Sequence, residues 1–409
     1  MNTNYLKMIV AFVLIGGAIW YLESGKVKNS GGGETVTIVA PVEHPSEVSA
    51  EATTEATTED VMEAGKPAST SAPKTGPTKN KLSRPEKSTK FKLAKEITTP
   101  DGFINTGGQP IKIQDYIGKK VVLIDFWTYS CINCQRTTPY LNGWYEKYED
   151  KGLVIIGIHT PEFDFEKVYD NVKMAVEREK IKYPVVLDND YSTWNAYENR
   201  FWPRKYLIDI DGYVVYDHIG EGGYAETEKE IQKALQERQT ALKLNDHIDT
   251  GIFNPADAGT LNSSKVQSPE TYFGSSRNEY FGNGDKGVSS VQKLSLPSAI
   301  QANTLYLDGT WDIQGESAKS TSSNSKIVYK YNAKDIYFVG SSEKGVKITI
   351  MEDGKIVGKD KGADVSADGT VMIKENRLYK LIQASDYSEH TIEIIIESPG
   401  LEAFAFTFG

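Results

Sequence analysis

The pattern of apolar and polar positions divides the chain into stretches of different period. One apolar run stands near the start, Met8-Ile-Val-Ala-Phe-Val-Leu-Ile-Gly-Gly-Ala-Ile-Trp-Tyr-Leu22, preceded by Lys7. At about 15 residues it falls short of the ~20 of a spanning helix and matches a signal-peptide core. No small-x-small cleavage pattern follows directly, and Trp20 and Tyr21 stand where interfacial aromatics belong, which favours a retained anchor. No cysteine lies nearby for lipoprotein processing. Residues 1–28 are therefore expected to be a membrane anchor or signal, with the bulk of the chain extracytoplasmic, on the periplasmic or cell-wall side. Residues 29–90 show no apolar period and are rich in Glu, Thr, Ala, Ser, Pro and Gly, including the near-repeat Glu51-Ala-Thr-Thr-Glu-Ala-Thr-Thr-Glu59. Such a segment cannot bury enough apolar surface to offset its ordering entropy and reads as a disordered linker.

Over 91–245 short apolar runs alternate with helical periods. Val121–Phe126 and Val154–Ile158 read as buried strands, and Cys134–Tyr148 and Phe165–Lys180 as helices. Tyr183–Leu187 is a short strand, and a helix follows over Ser192–Asn199. Lys205–Asp209 and Val214–His218 flank Asp211-Gly212, a hairpin signal, before a last helix over Glu226–Leu244. Strands with helical crossovers ending in a hairpin describe an α/β sandwich. Residues 246–267, rich in Asn, Gly and Ser, read as a connector. Over 268–409 the helical period vanishes. Short strands recur at Lys326–Tyr331, Asp335–Val339, Val346–Ile350, Lys355–Val357, Thr370–Ile373, Leu378–Ile382, Thr391–Ile396 and Ala403–Phe406, with Asp353-Gly354 as one turn. That spacing implies an all-β sandwich, or jelly roll.

Composition narrows the function. The chain has 409 residues and a net charge of −10, whereas the footprint of a nucleic-acid binder is basic. No Gly-rich phosphate loop or zinc-ligand set is present, so no metal and no cofactor beyond the cysteine pair is expected. The two cysteines, Cys131 and Cys134, are the only ones in the chain. A stapled secreted scaffold carries more, at wider spacing, and a loop this short stabilises little. Chemistry is the better reason for them.

The motif is Asp125-Phe-Trp-Thr-Tyr-Ser-Cys131-Ile-Asn-Cys134. A hydrophobic strand delivers the loop and a helix begins near the first cysteine, where a helix N-terminus favours a thiolate. Cys131 is the expected nucleophile and Cys134 the buried thiol that resolves a mixed disulfide. Asp125, at the end of an apolar strand, would be buried with a raised pKa and suited to taking the proton of Cys134; the plainer reading is an Asp satisfied by backbone groups. Pro203, after Trp202, opens the strand at Lys205; it is either a cis proline facing the cysteines or an ordinary strand-start proline. Trp127, Tyr129, Glu162 and Trp202 are candidates for the substrate face, although packing accounts for Trp127 equally well. His159 is a candidate acid or base, against the commoner structural histidine.

These segments resemble the TlpA/DipZ branch of the thioredoxin superfamily. The resemblance runs through Pro100–Phe103, Gly107-Gly, the cysteine motif, Thr138-Pro-Tyr140, His159-Thr-Pro-Glu-Phe163, Trp202-Pro203 and Ile208–Gly212. Ser268–Gly274, Arg377–Ile382, Glu389–Thr391 and Gly400–Gly409 are similar to the carbohydrate-binding-module-like β domain that follows thioredoxin in DipZ proteins. The resemblance implies an α/β thioredoxin-like domain followed by the β domain, and a reductant or thiol–disulfide exchanger acting on protein disulfides and thiols. It implies Pro203 as the cis proline and Asp125 as the buried Asp of thioredoxin. The sequence departs from the family in lacking the multi-helix CcdA-like membrane domain, so a separate CcdA-like partner would have to supply electrons. Thr137 stands where many TlpA-type reductants carry Glu, and Ile132-Asn133 replaces thioredoxin's Gly-Pro, so no redox potential can be borrowed. Cytochrome c maturation is a family-level role only, because fold does not fix function.

Trp311, Tyr272, Tyr280 and Tyr387 offer flat rings suited to sugar faces, but most aromatics in a β-sandwich are core; glycan binding, substrate docking and envelope attachment stay open. Two rivals remain. Thr128-x-x-Cys131 matches half of the peroxiredoxin PxxxTxxC motif, with Ile124 where its proline should be. A non-enzymatic envelope-binding protein with a structural CxxC is the other.

Overall fold

The computed structural model describes residues 85–256 and 263–409. The expected anchor and most of the linker lie outside the described residues. Among the described residues no helix is long and apolar enough to cross a membrane. The end of the expected linker is ordered, in contrast to the expectation: α1 (Pro85–Lys90) packs onto the first domain. Its Lys87 ammonium sits among the carboxylates of Asp209, Asp211 and Glu237, 2.9 Å from Asp211 Oδ2. Composition could not show this, because a single lysine anchors the segment through partners more than 120 positions away.

The first domain is a six-stranded sheet in the order β1-β4-β3-β2-β5-β6. Its strands are β1 (Gly102–Ile104), β2 (Val121–Trp127), β3 (Leu153–His159), β4 (Val185–Leu187), β5 (Arg204–Ile208) and β6 (Val214–Ile219). The strands β2, β3 and β4 run parallel, and β5 and β6 turn back antiparallel. Every residue of β2 and β3 is buried, as strands covered on both faces require. The helices are α2 (Ile132–Tyr148), α3 (Tyr169–Arg178), α4 (Ser192–Ala196) and α5 (Tyr224–Leu242). In α2, Cys134, Leu141, Trp144 and Tyr148 fall on one buried stripe. The single helix expected over Phe165–Lys180 is a 3-10 turn at Asp164–Lys167, then an extended Val168, then α3. A hydrogen-bonded cap by Glu166, described below, closes that turn.

The first part of the expected connector belongs to this domain. Tyr148 donates its hydroxyl proton to Asp249 O at 3.0 Å, and Phe253 N donates to Glu228 at 2.7 Å.

The second domain is built on β7 (Thr271–Tyr272), β8 (Ser290–Leu294), β9 (Leu305–Ile313), β10 (Ala318–Ser320), β11 (Ser325–Ser341), β12 (Val346–Glu352), β13 (Lys355–Ile356), β14 (Thr370–Ile373), β15 (Arg377–Ile396) and β16 (Glu402–Phe408). All their pairings are antiparallel. Asp353 and Gly354 both take positive φ in the hairpin joining β12 to β13, as a tight two-residue loop demands. Two pairs of expected strands are continuous: 326–331 with 335–339 in β11, and 378–382 with 391–396 in β15. Turn-forming residues between them made breaks in the sequence, whereas the chain carries on through register shifts at Ala333/Asp335 and Ile336/Tyr337. Beyond the first shift β11 exchanges its neighbour β9 for β16 while keeping β15 throughout. Tyr329, Phe338, Ile348, Ile394 and Phe406 fill one core. Trp311 and Tyr272, expected as candidate sugar platforms, are buried, Trp311 in this core and Tyr272 at the contact with the first domain.

Candidate redox site

The site lies where β2 ends and α2 begins. Cys131 occupies the N-cap position with extended backbone (φ −80°, ψ 119°), and its carbonyl accepts the Gln135 N–H. It is half-buried, while Cys134 is 2% exposed; both are free thiols. Their positions follow from the helix start: the first residue is presented at the end of the helix dipole, and the fourth turns inward under it. Burial pushes the Cys134 thiol well above its ordinary value, with the neighbouring Cys131 and Asp125 adding to the shift.

Asp125 is 2% exposed, and its Oδ1 has no hydrogen-bond partner among the described residues. Burial lifts its carboxyl to about 7, against the pull of the Lys205 cation. In the sheet Asp125 pairs with Gly157 on one side and Lys205 on the other. Lys205 is fully buried, donates from Nζ to Gly220 O at 3.1 Å, and is held below its ordinary value chiefly by burial. Cys134, Asp125, Lys205 and the buried Tyr183 thus form one electrostatically linked group.

The Trp202–Pro203 peptide is cis. Pro203 precedes Arg204, whose ladder partner is Phe126, so it lies at the same end of these central strands as the cysteine loop. Its carbonyl accepts the Gly220 N–H at 2.8 Å.

The structure places the four expected substrate-face residues differently. Trp127 and Tyr129 are buried, packed around His159, which is edge-on to Trp127 and stacked at 20° on Tyr129. Trp202 is buried against Trp194 and donates from Nε1 to Thr160 O at 3.1 Å. Glu162 turns toward the second domain, accepting from Tyr272 Oη at 2.8 Å and pairing with Arg277 at 2.7 Å. Their burial follows from the apolar surroundings, which recover more by enclosing an aromatic ring than by exposing it. Trp127, Tyr129 and Trp202 therefore shape the loops around the cysteines and do not line an open face, while Glu162 serves the contact with the second domain. His159 is held down to about 3 by burial and so is neutral at ordinary pH.

Glu166 was not singled out by the sequence reading. It is fully buried and takes hydrogen bonds from Ser130 Oγ at 2.6 Å and from the amides of Ser130 and Phe163, fastening the loop before Cys131 to the 160–166 segment. Burial raises its carboxyl to about 7. Three acidic residues crowd Glu162–Glu166, and no periodicity tells which one turns inward. Lys205 was likewise read only as the start of a strand, because its partner Asp125 is assigned by sheet order rather than by spacing. At Thr137 the hydroxyl bonds Asn133 O at 2.9 Å within the helix.

A strand-to-helix CxxC, a buried Asp beneath it and a cis proline at the same end of the sheet define a thioredoxin-like redox domain. The sequence comparisons agree. Residues 88–235 match the Redoxin family, and residues 268–409 match the family described as Thioredoxin like C-terminal domain. The chain is 36% identical over 318 residues to Protein DipZ of Mycobacterium bovis and of Mycobacterium tuberculosis, covering 76% of this chain but 43% of DipZ, so it spans less than half of those relatives. Over its first domain it is 35% identical to thiol-disulfide oxidoreductase ResA of Bacillus cereus, covering 31% of this chain and 69% of ResA. It is 29% identical to thiol-disulfide oxidoreductase YkuV of Bacillus subtilis, covering 35% of this chain and 95% of YkuV. The chain belongs to the TlpA/DipZ-like thiol–disulfide oxidoreductases.

Proposed function

We propose that the protein is an extracytoplasmic, membrane-anchored reductant of protein disulfides that cycles Cys131 and Cys134 between dithiol and disulfide. The half-exposed Cys131 at the start of α2, with Cys134 buried beside Asp125, is the observation that carries this reading. The Cys131 thiolate attacks one sulfur of a client disulfide, and the other client sulfur leaves as a thiolate that takes a proton from solvent. Asp125, ionised, removes the Cys134 proton as that thiol attacks the Cys131 sulfur. The second client thiol departs and the Cys131–Cys134 disulfide remains, two electrons having passed to the client. No other redox group takes part. A separate dithiol donor, of the CcdA-like membrane type, returns the two electrons. The apolar run over Met8–Leu22 supports an anchor, and the resemblance of the second domain's segments to the carbohydrate-binding-module-like domain of DipZ proteins leaves envelope glycan as a further partner.

The measurement is the reduction potential of the Cys131–Cys134 pair in the full chain. A value near or below about −230 mV, among thioredoxin and glutaredoxins, is the expected outcome. A value near about −120 mV, that of a strong oxidant, would mean the protein installs disulfides and would overturn the reductase direction.

A further inference from the structure

The second domain is set against the cysteine motif itself. Ile132, the residue directly after Cys131, is 3% exposed and shares an apolar cluster with Tyr337, Val339, Leu378, Phe404 and Ala405 of the second domain. Phe404 meets Phe163 and Phe165 edge to face at 5.3 and 4.8 Å. One turn along α2, the Arg136 guanidinium lies 5.3 Å from the Tyr337 ring centroid, 3.4 Å from Tyr337 Oη and 3.0 Å from Glu221 in the turn after β6. On the far flank Glu162 pairs with Arg277, and Asp164 N donates to Glu316 at 2.9 Å. Apolar contact between two polar ties describes a fixed docking, since the Glu162–Arg277 pair is partly buried and Arg277 also stacks 3.7 Å over Tyr272.

We propose that the second domain is a wall of the client groove and selects clients by the freedom of their backbone. Ile132 is covered by the second domain, so Cys131 is closed to clients on that side. A disulfide in a flexible or extended segment bends past the covered Ile132 side to reach Cys131. One held flat on a compact folded surface collides with the second domain before its sulfur reaches Cys131. Phe404 and Arg277 are positioning residues that hold the second domain against Ile132 and the 162–165 segment. This inference rests on the reductase reading and names the substrate class of the same site.

The test uses the reduced full chain with two disulfides: oxidised glutathione, and a small native protein carrying one solvent-accessible disulfide. Phe404→Ala and Arg277→Gln are compared with wild type after thermal melts show each variant folded; the second removes a polar tie without opening the core. The expected result is that both variants reduce the folded client several-fold faster while glutathione reduction stays within about twofold, so the ratio of the two rates is what moves. Loss of the folded-client rate with glutathione reduction intact would show that the second domain recruits clients and would overturn the wall, as would an unchanged ratio in both variants. Failure of wild type to reduce glutathione at all would instead strike the reductase reading and is read separately.

Discussion

The chemistry of the site turns on two residues that face one another across the sheet. Asp125 needs to be ionised to accept the Cys134 proton, and burial has moved its titration up to about 7. Turnover of a dithiol substrate is therefore expected to rise with pH through about 7, and Asp125→Asn to lose that limb with a fall of ~10²-fold or more near pH 8, the range of a lost general base. Stability moves the other way. A carboxyl whose pKa is raised in the folded protein stabilises it below the unfolded value near 4, and that contribution is lost as pH rises through about 7. Asp125→Asn should consequently gain on wild type in urea unfolding as pH goes from about 4 to 8; a difference constant with pH would refute the buried carboxyl. Lys205 holds the Asp125 pKa down, so Lys205→Met should move the turnover limb to higher pH. An unmoved midpoint would mean that the two charges are not in contact through the sheet.

At the level of elements, the helix that presents the cysteines is read directly from its period, and the segments that fix the loops around it are not. The start of α2 is set by an apolar strand, a short polar loop and a buried stripe, all local signals. Glu166 and α1 act through partners far along the chain. For α1 the consequence is measurable: Lys87 sits among three carboxylates, with Asp209 fully buried. Removing the lysine leaves those charges unopposed, and Lys87→Ala should lower unfolding free energy by about 2 kcal/mol, below the ~3–5 kcal/mol of a fully buried pair because the lysine is partly solvated. A chemical denaturation curve unchanged by the substitution would show that the segment only rests there. The strands β11 and β15 teach the same lesson. Their turn-forming residues look like breaks locally, yet pairing along their full length carries the ladder through irregularities.

Across the whole molecule the two domains meet through Phe163, Phe165 and Ile132 on one side and Phe404, Tyr337 and Tyr272 on the other. Phe163 is 1% exposed in that contact. Phe163→Ala should cost ~3 kcal/mol, as for other buried aromatics, and split a single calorimetric unfolding transition into two. A melt that stays single would show that each domain's own core, and not their contact, sets cooperativity. The sequence by itself determined the two-domain order, the strand-loop-helix setting of Cys131 and Cys134, and the apolar strand that buries Asp125. Each follows from the period of neighbouring residues, which acts over a few positions. Only the tertiary structure decided that Lys205 stands opposite Asp125, that Glu166 rather than Glu162 braces the cysteine loop, that Trp127, Tyr129 and Trp202 turn inward, and that the second domain covers Ile132. Those outcomes depend on sheet order and on contacts between residues well separated in the sequence, where burial of apolar area and pairing of buried charge are settled by the whole fold.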